Sequence, residues 1–187
     1  LTSALGVRPM PWQQHAADVA GELVTDPETG LDVLAYRTVV LSVGRRGGKS
    51  LSVLLRLLQC LFWRPPGAPA PRGWYTAQTR TDGSTTLRDD WMPQLRSSLL
   101  ADAVSTREGA GYEALHGNGG IIRLFSPLPK SLHGQPGDLI VFDEAWAHSR
   151  ELGAELEKAA RPLMATRSSP QQWIVTAAGD ADSMWWL

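Results

Sequence analysis

The sequence lacks most features that mark a specialised class of protein. It contains a single cysteine, Cys60, which cannot form an internal disulfide and lies in an apolar run, so we expect an intracellular setting. No apolar run approaches the roughly 20 residues of a membrane span, because charged residues such as Arg56 and Arg64 interrupt the longest ones. The formal net charge is −1, so the protein as a whole does not have the excess of positive charge that favours nucleic-acid binding. A local basic surface remains open. We therefore expect a soluble globular domain.

The two ends of the sequence suggest a fragment of a longer protein. The chain begins at Leu1 without a methionine, and it ends in three apolar residues, Trp185, Trp186 and Leu187. No internal repeat and no linker divides it. We expect residues 1–187 to form one domain.

Short apolar runs alternate with amphipathic segments along the chain. Val39–Val43 and Leu139–Phe142 are rich in β-branched residues and are predicted to be central strands, buried on both faces. Further strands are predicted over Gly73–Ala77, Ile121–Phe125 and Trp173–Ala177. Helical spacing predicts helices over Trp12–Val24, Lys49–Phe62, Thr85–Leu100 and Glu151–Ala165. This alternation predicts an α/β fold with a mostly parallel central sheet.

A glycine-rich segment connects the first of these strands directly to a predicted helix. It reads Gly44-Arg45-Arg46-Gly47-Gly48-Lys49-Ser50. In such a unit the backbone N–H groups and the helix N-terminus bind phosphates, a lysine reaches the outer phosphates and a hydroxyl ligates magnesium. Lys49 and Ser50 are the candidates for the last two roles. The usual pattern G-x-x-x-x-G-K-[ST] has a glycine where this chain has Val43, so the segment is a variant with its first glycine displaced to position 44.

Two adjacent carboxylates, Asp143 and Glu144, follow the predicted strand Leu139–Phe142 directly. In P-loop ATPases an aspartate at this point holds the magnesium ion, usually through water, and the adjacent glutamate polarises the attacking water. Asp143 is therefore the metal candidate and Glu144 the catalytic candidate. Asp-Glu after a strand is also found at ordinary helix N-caps, but the phosphate loop earlier in the chain favours the catalytic interpretation.

With these motifs the sequence resembles the ATPase domain of the large terminase subunit of tailed bacteriophages, the motor that packages DNA into procapsids. The terminase loop often lacks its first glycine and carries an arginine three residues before its last glycine, as Arg45 does here. Pro11-Trp12-Gln13 resembles the adenine-recognising glutamine segment, and Thr176-Ala177-Ala178-Gly179 resembles the coupling motif. The motifs follow one another in the order of the family.

The resemblance implies a three-layer P-loop NTPase fold of the additional-strand, catalytic-glutamate type, with the coupling strand between the loop strand and the acidic strand. It implies ATP and Mg²⁺ as cofactors, Gln13 against adenine, Arg45 as a catalytic arginine and Thr176 as the link between hydrolysis and movement. The alternative for Gln13 is a simple helix-start residue. Arg46 either binds the nucleotide and stabilises charge on the γ-phosphate, or is an outward solvated side chain or the partner of a carboxylate. The implied partners are double-stranded DNA, the small terminase subunit and a homo-oligomeric ring on a portal, in the cytoplasm of the infected bacterial host and without a membrane.

The sequence departs from the family at two points. Many terminases have an arginine shortly before the acidic strand that acts on the nucleotide of a neighbouring subunit, but the matching segment, residues 130–134, has none. Arg123 and Lys130 are the remaining candidates. The chain also ends shortly after the coupling motif, so we expect the nuclease domain and most of the lid subdomain to be absent, and DNA cleavage with them.

Other polar residues have a simpler interpretation. His15, His116, His133 and His148 show no zinc spacing, so we interpret them as structural or solvated. Asp89 and Asp90 are adjacent in a predicted helix and point in different directions, so they do not form an acid/base pair. Four arginines form either part of a DNA-facing surface or an ordinary solvated surface: Arg80, Arg88, Arg96 and Arg107.

Three functions remain open from the sequence. The first is a DNA-translocating ATPase. The second is a superfamily 2 helicase, which shares Asp-Glu-Ala after the acidic strand, although Trp146 lies where such helicases usually carry Asp or His. The third is a nucleotide-binding assembly module without turnover of its own.

Overall fold

The computed structural model describes residues 1–63, 67–109, 112–132 and 134–177. The strands in these ranges are β1 (Leu23–Thr25), β2 (Asp32–Leu34), β3 (Thr38–Ser42), β4 (Arg72–Thr76), β5 (Val104–Gly109), β6 (Tyr112–Gly117), β7 (Gly120–Leu124), β8 (Leu139–Phe142) and β9 (Gln171–Thr176). The helices are α1 (Thr2–Leu5), α2 (Pro11–Ala20), α3 (Lys49–Phe62), α4 (Arg80–Thr85), α5 (Met92–Arg96) and α6 (Arg150–Met164). A π-helical stretch, Thr86–Trp91, joins α4 to α5, and 3₁₀ turns cover Pro129–Leu132 and Ala145–Ala147.

Seven strands form one sheet in the order β3-β9-β8-β4-β7-β6-β5. The first five are parallel to one another, and β6 and β5 extend the sheet as antiparallel neighbours. Strands β1 and β2 form a separate antiparallel pair. The mostly parallel α/β sheet that the sequence predicts is confirmed, and β9 lies between β3 and β8. The prediction that Val39–Val43 is a central strand buried on both faces is wrong: β3 is an edge strand whose neighbour in the sheet is β9, and of its residues Leu41 alone is buried.

The acidic strand β8 shows why the sheet has helices on both faces. All four of its residues are fully buried. Leu139 and Val141 belong to the core cluster that contains the leucines of α3, whereas Ile140 and Phe142 belong to a second cluster with α6. Side chains alternate between the faces of a strand, so an unbroken apolar run requires apolar cover on both sides.

Helix α3 begins directly after the phosphate loop and holds it against the sheet. Leu54, Leu57, Leu58 and Leu61 recur at the spacing of one helical face, and each is fully buried. Burying a leucine side chain contributes about 1.5–3 kcal/mol, so the apolar face of α3 anchors the loop strongly.

Two predicted helices differ from the observed ones. The helix predicted over Trp12–Val24 ends at Ala20, because Gly21 ends the helix and residues 23–25 pair with residues 32–34 as β1 and β2. The helix predicted from Thr85 begins at Arg80, where the Thr79 hydroxyl accepts from the Asp82 N–H over 3.1 Å, and it ends at Arg96. Strands β1, β2, β5 and β6 were not predicted.

The parallel arrangement brings the carboxyl ends of β3, β9, β8, β4 and β7 to one edge of the sheet. The Val43 N–H, just after β3, donates to the Thr176 carbonyl at the end of β9 over 3.1 Å. The Asp143 N–H, just after β8, donates to the Thr76 carbonyl at the end of β4 over 2.8 Å. Ligands of open α/β sheets bind at this edge, which we call the carboxyl edge.

Candidate nucleotide and catalytic site

The phosphate loop occupies residues 44–48, between β3 and α3. Its backbone turns back on itself, since the Gly47 N–H donates to the Gly44 carbonyl over 3.0 Å. Gly48 has the left-handed φ of +90°, and a Cβ added there would lie 2.9 Å from the Gln13 Nε2 atom. Both the backbone conformation and the space therefore require glycine directly before α3.

The two residues after the loop lie in the first turn of α3. Lys49 is buried, and its Nζ donates to the Val43 carbonyl over 3.3 Å, so the ammonium group connects the two ends of the loop. Ser50 is exposed in the same turn. This turn contains no acidic residue, so its N–H groups and the helix dipole are complementary to an anion.

Gln13 is 3% exposed and lies against the phosphate loop. Its Nε2 donates to the Gly48 carbonyl over 2.8 Å, and its Oε1 accepts from the Met10 N–H over 2.7 Å. The amide therefore connects the start of α2 to the last loop residue. Both the oxygen and the nitrogen of the side-chain amide have hydrogen-bond partners within the protein, so in this structure Gln13 supports the phosphate loop.

Asp143 is buried at the end of β8, with each carboxylate oxygen accepting one hydrogen bond. Oδ1 accepts from the Glu144 N–H over 2.8 Å, and Oδ2 accepts from the Tyr75 hydroxyl over 3.2 Å. Burial raises the pKa of Asp143 to about 6, while the hydrogen bonds and the Lys49 ammonium act in the opposite direction. Burial likewise raises the pKa of Tyr75 well above its usual value, so its hydroxyl remains a donor.

Glu144 follows in a left-handed conformation, with φ +52° and ψ +40°. A non-glycine residue rarely adopts this conformation. The carboxylate accepts a hydrogen bond from the indole Nε1–H of Trp146. On the loop side, the Arg45 guanidinium carbon lies 5.1 Å from the centre of the Trp146 ring, a cation–π distance. The predicted catalytic residues Glu144 and Arg45 therefore both contact one tryptophan.

Thr176 is fully buried at the end of β9, and its hydroxyl donates to the Ala177 carbonyl over 2.7 Å. Because β9 lies between β3 and β8, this hydroxyl is flanked by the phosphate loop strand and the acidic strand. The remainder of the predicted coupling motif, Ala178 and Gly179, lies outside the described residues.

The structure also places the residues whose roles the sequence leaves open. Arg46 is exposed in a left-handed conformation, with φ +59°. Arg123 lies on β7, where it donates to Gln135 over 2.8 Å and stacks on Trp74. Lys130 is exposed in a 3₁₀ turn. A trans-acting role for Arg123 or Lys130 stays a prediction.

The four arginines proposed for a DNA-facing surface divide into two pairs. Arg80 and Arg88 both contact the buried carboxylate of Glu113 on β6, where they attach α4 and the π-helical stretch to the sheet. Arg96 and Arg107 are exposed. The first pair therefore has a structural role that the sequence did not reveal.

Magnesium is the ion that the motifs imply, and the donor set of this site suits it. Mg²⁺ is usually held by one or two carboxylates together with substrate phosphates and water, and Ser50 and Asp143 supply a hydroxyl and a carboxylate. Each oxygen of Asp143 accepts one protein hydrogen bond, which leaves lone pairs for a metal-bound water. Elsewhere among the described residues there is no group of three or more His, Cys, Asp and Glu side chains that could hold a metal.

Comparison with known proteins supports the fold. The large terminase ATPase domain of Thermus phage P74-26 aligns over 96% of this chain and 69% of its own, with a TM-score of 0.61 and 21% identity. The large terminase of bacteriophage HK97 aligns over 95% of this chain and 35% of its own, with a TM-score of 0.70 and 18% identity. The chain has the terminase ATPase fold. This confirms the fold that the motifs implied.

A third structure, the large terminase of another thermophilic bacteriophage in complex with ADP, aligns over 89% of this chain and 38% of its own. Its TM-score is 0.56 and its identity is 12%. No protein-family model matches the chain, and no curated protein matches it in sequence. Among the helices of the described ranges, none has the length and apolar character needed to span a membrane.

Sequence reasoning missed two residues of this edge, Tyr75 and Trp146. Tyr75 lies on a predicted strand, but only the pairing of β4 with β8 brings its hydroxyl to Asp143. Trp146 stood out in the sequence only as a departure from the helicase pattern. Its spacing two residues after Glu144 was the available signal, since a tight turn brings such a pair together.

Proposed function

We propose that this chain is the ATP-hydrolysing motor domain of a viral DNA-packaging terminase, coupling ATP hydrolysis to the translocation of double-stranded DNA into a procapsid. The observation that carries the proposal is the meeting of three elements at the carboxyl edge. The phosphate loop with Lys49, the Asp143-Glu144 pair, and Thr176 on the strand between them lie at the ends of adjacent strands.

Nucleotide binding exchanges one set of hydrogen bonds for another. Lys49 leaves the Val43 carbonyl and donates to the outer phosphates, while the loop N–H groups and the first turn of α3 receive the phosphate oxygens. Magnesium, when bound near Ser50 and Asp143, neutralises charge on the β- and γ-phosphates. The ionised form of Asp143 is the form that serves this role, and a nearby cation favours it.

Hydrolysis proceeds through Glu144. Its carboxylate orients a water molecule and accepts a proton as the water oxygen bonds to the γ-phosphorus. The bond from that phosphorus to the β,γ-bridging oxygen breaks, and the products are ADP and phosphate. Arg45, in the loop, stabilises the charge that develops on the transferred group.

In this proposal, Thr176 couples ATP hydrolysis to the movement of DNA. Its hydroxyl now donates to the Ala177 carbonyl, and a γ-phosphate at the loop is a stronger acceptor because it is charged. Exchange of that bond would transmit the nucleotide state to the segment after β9. The further partners in this proposal are a homo-oligomeric ring on a portal and the small terminase subunit, in the cytoplasm of an infected bacterium.

The test is magnesium-dependent ATP turnover per subunit over a range of protein concentration, with Glu144→Gln as the control. We expect turnover that rises with concentration, because neighbouring subunits complete the site, and we expect Glu144→Gln to lower it by about 10²- to 10⁴-fold without loss of ATP binding. Unchanged turnover in Glu144→Gln would show that the site assignment is wrong.

Two other outcomes distinguish the remaining functions. Tight ATP binding without turnover at any concentration would favour a nucleotide-binding assembly module. Separation of a duplex into single strands, measured with a labelled oligonucleotide pair, would instead favour the helicase.

A further inference from the structure

The carboxylate of Glu144 accepts a hydrogen bond from Trp146, which is not one of the predicted nucleotide-binding residues. The Glu144 backbone is in the left-handed region, which a non-glycine residue rarely adopts. The next residues form the 3₁₀ turn Ala145–Ala147, in which the Ala147 N–H donates to the Glu144 carbonyl over 2.9 Å. This turn places the Trp146 indole beside the Glu144 carboxylate.

Trp146 contacts the site in two directions. The edge of its indole donates from Nε1 to the Glu144 carboxylate, and its ring face lies 5.1 Å from the Arg45 guanidinium carbon. Indole has a single N–H donor, so the bond to Glu144 uses its whole donor capacity. The ring is partly exposed, so packing in the core does not by itself fix it there.

We propose that Trp146 is the positioning residue of this site: its indole N–H fixes the Glu144 carboxylate in the orientation used for hydrolysis, and its ring face holds Arg45 beside it. The inference rests on the proposed ATPase function. Trp146 contacts neither nucleotide nor water in this mechanism. It acts through Glu144 and Arg45.

The geometry separates two effects of Trp146. Removal of the N–H frees the carboxylate without removing the ring that Arg45 contacts. Removal of the ring abolishes both contacts. Trp146→Phe therefore tests the hydrogen bond alone, and Trp146→Leu tests both. Trp63→Phe is the matched control, because Trp63 follows α3 at its far end, away from the loop.

The first readout is the division between turnover and affinity. We expect Trp146→Phe to lower kcat for ATP by about 10- to 100-fold, because a misplaced catalytic group lowers the rate by this order, and to change the Kd of ADP less than about threefold. Trp146→Leu should lower kcat further. Trp63→Phe should change neither quantity, and the melting temperature of each variant shows whether it is folded.

The second readout needs no activity. With ¹⁵N-tryptophan, the chain gives indole N–H signals from its eight tryptophans, and the signal lost in Trp146→Phe identifies Trp146. We expect Glu144→Ala to shift this signal upfield in the proton dimension and to speed its exchange with solvent, because its acceptor is gone. The Trp63 signal should stay in place.

The outcomes separate this inference from the proposed function. An indole signal that is unmoved by Glu144→Ala would overturn the inference, as would full turnover in Trp146→Phe while Glu144→Gln is inactive. If Glu144→Gln and Trp146→Phe both keep full turnover, the assignment of Glu144 as the catalytic residue fails and the inference with it, whereas absence of turnover in the unchanged chain would overturn the proposed ATPase function itself. Loss of ADP affinity equal to the loss of turnover would assign Trp146 a purely structural role.

Discussion

The two edges of the central sheet both contain buried charged residues, but they use them differently. At the carboxyl edge, Lys49 and Asp143 are buried among residues in left-handed conformations; the Glu144 N–H bond to Asp143 is 2.8 Å, but the Tyr75 and Lys49 bonds are long, at 3.2 and 3.3 Å. At the opposite, amino edge, Arg56 and Gln171 are buried in a closed network. The two edges differ in how completely these buried side chains are hydrogen-bonded within the protein.

Gln171 is the centre of the network at the amino edge. Its Oε1 accepts from Arg56 Nε over 2.9 Å and from Trp173 Nε1 over 2.7 Å. Its Nε2 donates to the carbonyls of Ala20 and Tyr36 over 2.8 and 2.9 Å. One fully buried amide therefore ties α2, α3 and the entry to β3 to the start of β9.

This difference shows that burial of charge does not by itself mark a functional site. The amino edge buries an arginine and an amide to join elements, and every atom of the Gln171 amide has a partner. The carboxyl edge leaves donors and acceptors that a phosphate would satisfy better. The following substitutions test the contrast, in order of decreasing expected effect.

Gln171→Met should remove the network of the amino edge. It leaves two donors and two acceptors without their partner, and each such buried group costs about 1–3 kcal/mol, so we expect the free energy of unfolding to fall by at least about 3 kcal/mol. Denaturant unfolding measures this. The matched control is Gln172→Met, which loses a single bond to Glu157. Equal losses in the two variants would contradict the network.

Asp143→Asn should change how stability depends on pH. Burial raises the pKa of Asp143 to about 6 from 3.8, so the folded chain holds this proton more tightly than the unfolded chain. The contribution of Asp143 to stability is present below about pH 4 and is lost as pH rises through about 6, by about 3 kcal/mol in total. Asparagine does not titrate.

We therefore expect the stability of Asp143→Asn, relative to the unchanged chain, to rise by about 2 kcal/mol between pH 4 and pH 7, which is most of the total. Denaturant unfolding without nucleotide or magnesium measures the two curves. Asp89→Asn, at an exposed position, is the control and should show no such rise. Parallel curves for Asp143→Asn and the unchanged chain would mean that the carboxylate is not desolvated.

Lys49→Ala should weaken ATP binding by about 100-fold, because it removes a charged hydrogen bond worth about 1.5–3 kcal/mol. Equilibrium titration with a fluorescent ATP analogue measures the Kd. The folded state should be kept, since among the described residues the Lys49 ammonium makes one hydrogen bond, to the Val43 carbonyl. Lys158→Ala, on the exposed side of α6, is the control. Equal affinity in the two variants would remove the loop from nucleotide binding.

Gln13→Ala distinguishes between two roles of Gln13, support of the phosphate loop and recognition of the adenine base. If Gln13 only supports Gly48, the substitution should weaken ATP and GTP binding equally, by about tenfold, the equivalent of about one hydrogen bond. Competition titrations with both nucleotides measure this, with the exposed neighbour Gln14→Ala as control. A loss confined to ATP would show that Gln13 turns to the adenine when nucleotide binds.

The sequence predicted the elements whose pattern is local. The strand Leu139–Phe142 and the helix Lys49–Phe62 are confirmed with their bounds. The strand is an apolar run that ends at charged residues, and the helix is an apolar segment that follows a glycine-rich loop. Both patterns lie within short stretches of the sequence. Strands β5 and β6 were missed because their mixed polar residues show no clear strand pattern; in the structure β6 pairs with β7, and β5 pairs with β6. The helix predicted over Trp12–Val24 continued past Ala20, where α2 ends.

The site shows the same division. The phosphate loop and the carboxylate pair were predicted from contiguous residues. Tyr75 and Gln171 were not, because their contacts join strands and helices that are distant in the chain. Only the strand order β9-β8-β4 places the Tyr75 hydroxyl at Asp143, and no local pattern encodes that order.

The position of β9 has a consequence for biosynthesis. Strands β3 and β8 both precede it in the chain, yet neither pairs with the other; each pairs with β9. Until residues 171–176 have left the ribosome, β3 has no partner strand in the sheet and one edge of β8 is unpaired, and such unpaired edges are templates for aggregation. We therefore expect the loop and the acidic strand to be brought together late, in the step that inserts β9, so that nucleotide binding reports completion of the sheet.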